Sequence, residues 1–338
     1  MEFVTGGTGL VGRYLVAELL AGGREVRLLC RPQSDREALL RFLNHRGLDG
    51  QRVEWCEGDL LDGSFMEEAI AGCSRVYHLA AVVSFHPKDA QHMMRVNRDA
   101  TRILVNAMLH VGVEELVHLS SVAALGRVTG EPVHEEVPFE SGPNVTAYAH
   151  SKFESELEVW RGQEEGLKVL TLNPTVILGA GDFNRSSSAL FAMVYKGLKW
   201  HPTGSNGFVA AHDVARACHV LGDQKCWGKR YLLNAENRSY QSVFDQMADD
   251  FKIPRPSRPV KPWMMGAVWR LSMALEFISG KRAKATKESV ATTHKNHSYQ
   301  SDRLEKTLGE AGIVWKYQSI NAVISETARI CKEQLGSN

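Results

Sequence analysis

The chain has 338 residues, 43% hydrophobic and 23% charged, with a formal net charge of +1 at pH 7. That composition suits one large α/β domain or a domain with an appendage. The near-neutral charge gives no electrostatic case for nucleic acid or an acidic membrane as partner. No apolar run reaches the roughly 18 residues that a membrane span needs, so no transmembrane segment is expected. The chain runs directly into a strand and a glycine turn with no basic leader, which points to a cytoplasmic protein. Cys30, Cys56, Cys73, Cys218, Cys226 and Cys331 form no C-x-x-C pair. They read as reduced thiols. The thirteen histidines contain no H-E-x-x-H arrangement, and no metal site is expected.

Phe3 and Val4 end a short apolar strand, and Thr5, Gly6, Gly7, Thr8, Gly9, Leu10, Val11 and Gly12 follow. Gly7-x-Gly9-x-x-Gly12 fits the dinucleotide fingerprint, and Gly6-x-x-Gly9-x-x-Gly12 fits an overlapping variant. Glycines let the backbone turn sharply and approach a pyrophosphate, which a helix N-terminus then meets with free N–H groups. Alone, the pattern is equally a glycine turn without a ligand. Residues 10–20 have helical spacing and stop at Gly22 and Gly23. Residues 26–30 read as a second strand. Where an NAD-binding unit usually carries an acid, this strand ends in Cys30 and Arg31, with Ser34 and Arg36 close by. A guanidinium suits a ribose 2′-phosphate, which favours NADP(H) and leaves NAD(H) possible. The bland alternative is a solvated loop arginine.

A helix is expected over 35–46, a strand over 53–57 that ends at Gly58, Asp59 and Leu60, and a short helix over 66–71. Asp59 could hold the adenine amino group or cap a helix. Residues 76–81 read as a buried strand whose Ala80 and Ala81 leave room for a flat cofactor. Residues 90–110 read as one long helix containing Asn97. Residues 116–120 form a fifth strand that runs into Ser121. Tyr148 opens a helix through 161, and 169–172 form a sixth strand that closes on Asn173 and Pro174. Alternating strand and helix argue for one doubly wound parallel sheet with helices on both faces, its ligands outside the carboxyl ends of the strands. Leu60, Leu79, Ala80, Ala81, Asn173, Pro174 and Val176 are the candidate cofactor contacts at those ends.

Beyond 179 the pattern changes to a loop over 179–184, helices over 187–198, 213–221 and 239–251, and a strand over 231–233. Pro254, Pro256, Pro259 and Pro262 read as a connector. The division expected is a dinucleotide-binding part, 1–178, and a smaller, mainly helical substrate-binding part, 179–338, with some segments returning to the main sheet. Residues 263–278, rich in Trp, Met and Leu, could be a lid or core helix, a subunit contact or a membrane-surface helix. Phe85, Phe183 and Phe191 could line an apolar substrate pocket. His86 could touch substrate, though an exposed loop histidine is the simpler reading.

Tyr148 and Lys152 are four residues apart, so a helix puts them on one face. An ammonium beside a phenol lowers the phenol pKa, which suits proton exchange near neutral pH. With the glycine turn and a strand ending in Ser120 and Ser121, three features fall in order at the edge where a nicotinamide would lie.

On these residues the chain resembles the extended short-chain dehydrogenase/reductases, of the NAD-dependent epimerase/dehydratase type. The resemblance rests on residues 5–12 (T-G-G-T-G-L-V-G), 58–60 (G-D-L), 78–81 (H-L-A-A), 96–101 (V-N-R-D-A-T), 120–123 (S-S-V-A), the Tyr148/Lys152 pair, 173–175 (N-P-T) and 213–215 (D-V-A). It implies that Ser121 donates to the substrate oxygen, Tyr148 exchanges the proton, Lys152 holds the nicotinamide ribose and tunes Tyr148, and Asn97 supports them. Ser120 is the fallback for Ser121. Nucleotide-sugar dehydratases of the family carry an Asp-Glu pair where this chain has Val122 and Ala123, so no second acid/base is expected. Asn173-Pro174 in place of Arg-Pro is closer to the dihydroflavonol reductase, cinnamoyl reductase and hydroxysteroid dehydrogenase branch. The resemblance therefore implies an NADPH-dependent carbonyl reductase or alcohol dehydrogenase that acts on a small-molecule substrate and forms a homodimer. The alternatives are a nucleotide-sugar epimerase with tightly held NAD and a non-catalytic cofactor-binding scaffold.

Overall fold

Parallel pairing needs a crossover between strands, which the intervening helices supply, and seven short apolar strands pair in parallel here in one sheet. The computed structural model describes residues 1–336 except 129, 144 and 261–293, and within that last stretch it describes Met264, Gly266, Trp269, Ser272 and Glu276. The alternatives weighed for 263–278 as a helix lie outside the described residues. In chain order the strands are β1 (Glu2–Thr5), β2 (Val26–Cys30), β3 (Val53–Glu57), β4 (Arg75–His78), β5 (Glu115–Leu119), β6 (Lys168–Pro174), β7 (Val176–Leu178), β8 (Trp200–His201), β9 (Ser205–Ala210), β10 (Lys229–Leu233), β11 (Glu236–Ser239) and β12 (Arg258–Pro259). The helices are α1 (Leu10–Ala21), α2 (Arg36–Asn44), α3 (Gly63–Ile70), α4 (Ala90–Met93), α5 (Ala100–Val111), α6 (Ala147–Glu164), α7 (Ser188–Tyr195), α8 (Ala211–Asp223), α9 (Tyr240–Phe251), α10 (Asp302–Glu310) and α11 (Ile320–Gly336).

The main sheet runs β10-β6-β5-β4-β1-β2-β3. The chain steps outward from β1 to β3 and then restarts on the other side at β4. The strand order therefore reverses between β1 and β4, which opens a crevice at their carboxyl ends. One face packs on α1, α2, α8 and α10 through Leu15, Leu19, Leu39, Val214 and Leu304; the other packs on α3, α5 and α6 through Met66, Leu104, Met108 and Val159. At the amino edge, Arg75 is held on three sides. Its Nε donates to Glu115 at 2.9 Å, and Nη1 donates to Asp223 at 2.8 Å and to the Tyr77 hydroxyl at 3.0 Å.

The later segments divide their loyalty. β10 returns to pair with β6, and α8 packs along α1. β7, β9 and β11 form a separate three-stranded sheet, which buries its own apolar cluster with α7, α9 and α11. Of the helices of this part, α7 and α9 were legible in the sequence and α11 was not. Its strands are three to six residues long and lack a period-two pattern, so they were not. Among the described residues no helix is long and apolar enough to cross a membrane.

The long helix expected over 90–110 is broken. A π-helical turn, Met94–Asp99, separates α4 from α5 and carries Asn97. Such turns widen the backbone by one residue and re-aim a side chain. Here the side chain re-aimed is a buried amide, 1% exposed.

Candidate functional site

The glycine turn is shaped by contact on three sides. Gly6 has φ +72, and a Cβ there would meet the Ala80 nitrogen at 2.7 Å and the Leu79 carbonyl carbon at 2.8 Å. A Cβ on Gly7 would strike the Leu28 side chain, and one on Gly12 would strike the Gly6 carbonyl oxygen and the Gly7 backbone. Gly9 is different: only the Gly6 oxygen, at 3.1 Å, lies near its virtual Cβ, and its other side is open. It caps α1 without a side chain, and no acid sits in the first turn of that helix. Free N–H groups and the positive end of the helix dipole are therefore presented to the groove without competition.

That groove has a volume of about 1700 Å³. Of the expected cofactor contacts it is lined by Gly6, Thr8, Gly9, Leu10, Arg31, Leu60, Leu79, Ala80 and Ala81. Thr5, Gly7, Val11 and Gly12 stand behind it as packing. The Thr5 hydroxyl accepts from the Leu79 and Ala80 N–H groups at 3.2 and 3.1 Å, which ties β1 to the segment after β4. Asp59 is exposed and accepts from the Leu61 N–H at 3.0 Å, as a turn cap does. Asn173 and Pro174 are buried in β6, and Val176 begins β7. Sequence reasoning missed the outer wall, made by Arg13, Tyr14, Phe42 and Arg46 with Glu326 and Arg329 of α11. Only the topology brings α11 there.

The cationic residues at the end of β2 sort themselves. Arg36 pairs with Glu57 and lies over the Trp55 ring, 5.4 Å from its centroid. The exposed Arg31 lines the groove, and its guanidinium has no carboxylate partner among the described residues. Its own backbone N–H donates to Ser34 Oγ at 2.9 Å, which fixes the loop under it.

At the carboxyl end of β5, Ser121 is extended, with φ −161, and its Oγ accepts from the Ala123 N–H at 3.1 Å. Thr146 caps α6 by accepting from the Ala149 N–H at 3.0 Å, which sets Tyr148 in the first turn. Burial pushes the Tyr148 phenol up, and a hydrogen bond with Ser121 offsets part of that rise. Of the two serines, Ser121 is the one that eases the rise of the phenol. Ser120 Oγ is buried without a hydrogen-bond partner among the described residues.

Lys152 is 2% exposed, and its Nζ donates to the Leu119 carbonyl at 2.9 Å. Burial pushes its ammonium down to about 8 against the opposing charge of Glu156. The lowering of the phenol pKa by Lys152 expected from the spacing is not found, because the ammonium is turned to the backbone of β5. Asn97 touches neither side chain. Its Oδ1 accepts from the Val82 N–H at 2.8 Å, and its Nδ2 donates to the Val82 carbonyl at 3.0 Å and to Ser151 Oγ at 2.9 Å. Ser151 Oγ donates in turn to the Tyr148 carbonyl at 2.8 Å.

Behind Lys152 the core is polar. Thr5, His78, His118, Thr171 and Arg230 stand in register across β1, β4, β5, β6 and β10. The Thr101 hydroxyl donates to the Asn97 carbonyl at 2.6 Å. It can then only accept from His78 Nε2, 3.0 Å away, and from Ser155 Oγ, 2.9 Å away. That leaves His78 Nδ1 to accept from Thr5 at 2.8 Å. Burial holds the His78 imidazole down to about 3 and keeps His118 well below its ordinary value, each pushed further by Lys152.

On the substrate side, His86 is not an exposed loop residue. It is 7% exposed, with Nε2 2.8 Å from Glu276 Oε2, and Lys88 Nζ donates to the other Glu276 oxygen at 2.6 Å. Loop length hid that contact, which joins residues 190 apart in the chain. The Phe85 ring meets the Tyr148 ring edge-on at 6.0 Å between centroids. Phe183 and Phe191, expected in the pocket lining, are buried in the core shared by α7, α9 and α11; Phe183 also borders the groove.

Comparison with known proteins bears on the fold and the family. The model of the NAD-dependent epimerase/dehydratase family matches residues 3–231. Sterol demethylase protein B of Methylococcus capsulatus is 31% identical over 313 residues, 90% of this chain and 92% of its own. A Stigmatella aurantiaca ketoreductase of a 4-hydroxy-2-methyl-3-oxo-4-farnesyl-3,4-dihydroquinoline-1-oxide is 26% identical, covering 95% of each chain. Cinnamoyl-CoA reductase 1 of Oryza sativa is 29% identical over 64% of this chain and 66% of its own, in keeping with the branch read from Asn173-Pro174. Among solved structures, gox2253 superposes with a TM-score of 0.81 at 28% identity, covering 99% of this chain and 98% of its own.

Proposed function

The chain belongs to the NAD-dependent epimerase/dehydratase family, and we propose that within it this protein is an NADP(H)-dependent carbonyl reductase and alcohol dehydrogenase with Ser121, Tyr148 and Lys152 as catalytic residues. The placement of Tyr148 and Lys152 carries the reading: the Thr146 cap of α6 sets them one helical turn apart at the carboxyl edge of the sheet, where β5 ends and Ser121 follows. The open side of Gly9 and the acid-free start of α1 fit a dinucleotide pyrophosphate. Gly6, Thr8, Gly9 and Leu10 would hold it, Leu60, Ala80 and Ala81 would flank its rings, and Arg31 would meet the 2′-phosphate. The nicotinamide, when bound, supplies or accepts the hydride.

The protein's own groups handle the oxygen. Ser121 donates a hydrogen bond to the substrate carbonyl, and Tyr148 gives that oxygen its proton. Burial that raises the phenol keeps it protonated at neutral pH, the form that reduction requires. Lys152, its ammonium turned to the Leu119 carbonyl, would hold the nicotinamide ribose, and Asn97 holds the Tyr148 turn through Ser151. Val122 and Ala123 offer no acid or base for a second elimination step. Residues 1–178 then serve the cofactor, residues 179–338 close the substrate side, and α5 and α6 pair two copies into a homodimer.

The test is a calorimetric comparison of NADPH with NADH, joined to a screen of large apolar ketones and aldehydes of the kind that the ketoreductase relative's name describes. Tighter NADPH binding and its steady oxidation are expected. Copurified NAD(H) without net turnover of added NADPH would replace the reading with an epimerase.

A further inference from the structure

The reading above leaves the residue one turn beyond Lys152 without a role. Glu156 shares a face of α6 with Lys152, as residues four apart on a helix do, and it is wholly buried. A carboxylate in such a place persists only with partners. Asn173 Nδ2 donates to its Oε1 at 2.6 Å, and Arg230 Nη2 lies 2.9 Å from its Oε2. The same Asn173 amide donates to the Ser121 carbonyl at 2.9 Å. One amide thus joins Glu156 to the serine of the proposed catalytic set.

The groups around Lys152 can be counted by element. Tyr148 and Glu156 lie on α6, His78 on β4 and His118 on β5, with both imidazoles kept neutral by burial. Among the described residues Glu156 is the carboxylate that acts on the Lys152 charge. Arg230, on the edge strand and over the Trp160 ring, lies against the second oxygen of that carboxylate.

We propose that Glu156 is a positioning residue of this site: its carboxylate holds Lys152 in the charged form and, through the Asn173 amide, fixes the backbone at Ser121. The inference rests on the catalytic reading of Ser121, Tyr148 and Lys152. Without the carboxylate, burial drives the ammonium further toward the neutral amine.

The experiment follows the ε-methylene resonance of Lys152 in carbon-13-lysine-labelled protein with no cofactor added, assigned by its loss in Lys152→Met. The wild-type midpoint is expected at about 8. Glu156→Gln, which keeps the bond to Asn173 and removes the charge, should move it down by about one pH unit or more. The alkaline limb of kcat/KM should move with it, while Glu156→Asp, charged but one methylene shorter, should shift less. An unmoved midpoint in Glu156→Gln, or in the equally neutral Glu156→Met should the glutamine variant not fold, overturns the proposal. Undiminished turnover of Lys152→Met would instead fail the catalytic reading, and the midpoint measurement, made without turnover, would stand apart from it.

Discussion

Tyr148→Phe removes one hydroxyl from the center of the site and leaves the ring that packs on Phe85. General acid catalysis by such a group contributes about 10²–10⁴-fold. kcat with NADPH should fall by about that factor while calorimetric cofactor affinity stays near wild type. Retained turnover would remove the phenol from the chemistry. Arg31→Ala tests the cofactor choice. A charge-assisted hydrogen bond contributes roughly 1.5–3 kcal/mol, so NADPH affinity should drop by about 10- to 100-fold and NADH affinity hardly at all. Equal losses would place the 2′-phosphate elsewhere. Arg36, the first residue of α2, was the other cation in view. The sequence could not separate the two, because the separation lies in Glu57, which neutralises Arg36 from the neighbouring strand.

Elements were legible where a local pattern set them. The glycine turn, α1, α6 with its Tyr148/Lys152 pair, and the buried strands carry their periodicity and caps in consecutive residues. The π-helical turn at Asn97 was not legible, since its cause is the distant backbone of Val82 and the hydroxyl of Ser151. The His86–Glu276 tie escaped for the same reason. At this scale the turn makes a sharp prediction. A methyl group on Gly12 would overlap the Gly6 carbonyl and the Gly7 backbone, neither of which can rotate away. Gly12→Ala should push α1 off the turn at a cost of about 1–3 kcal/mol in stability and weaken NADPH binding by about tenfold or more. A variant that melts and binds like wild type would show that α1 does not need its close seat on the turn.

Across the whole molecule, two neutral imidazoles sit in the center of a parallel sheet, where apolar residues are the rule. His78 is held down to about 3 and His118 well below its ordinary value, both by burial. In the unfolded chain each takes up a proton near 6.5. Their contribution to stability is therefore complete above that pH and is lost as pH falls toward the folded value. The loss is up to about 1.4 kcal/mol per pH unit for each histidine. Urea unfolding between pH 7 and 5 should show this slope, and His118→Gln should flatten it. Equal slopes in the two proteins would exclude the imidazoles as the cause. Alternation of strands and helices was enough to read one doubly wound parallel sheet. It could not reveal this polar row, because each member is a single residue on its own strand.

The open margin of the main sheet at β10 is already spoken for. Glu135 accepts from the Leu232 N–H at 3.0 Å, and Arg303 donates to the Arg230 carbonyl at 3.2 Å while pairing with Glu136. Side chains from a loop and from α10 thus occupy the backbone groups that an incoming strand would use. Growth of the sheet into a second molecule is blocked on that flank, and copies of this protein that associate there must do so side chain to side chain.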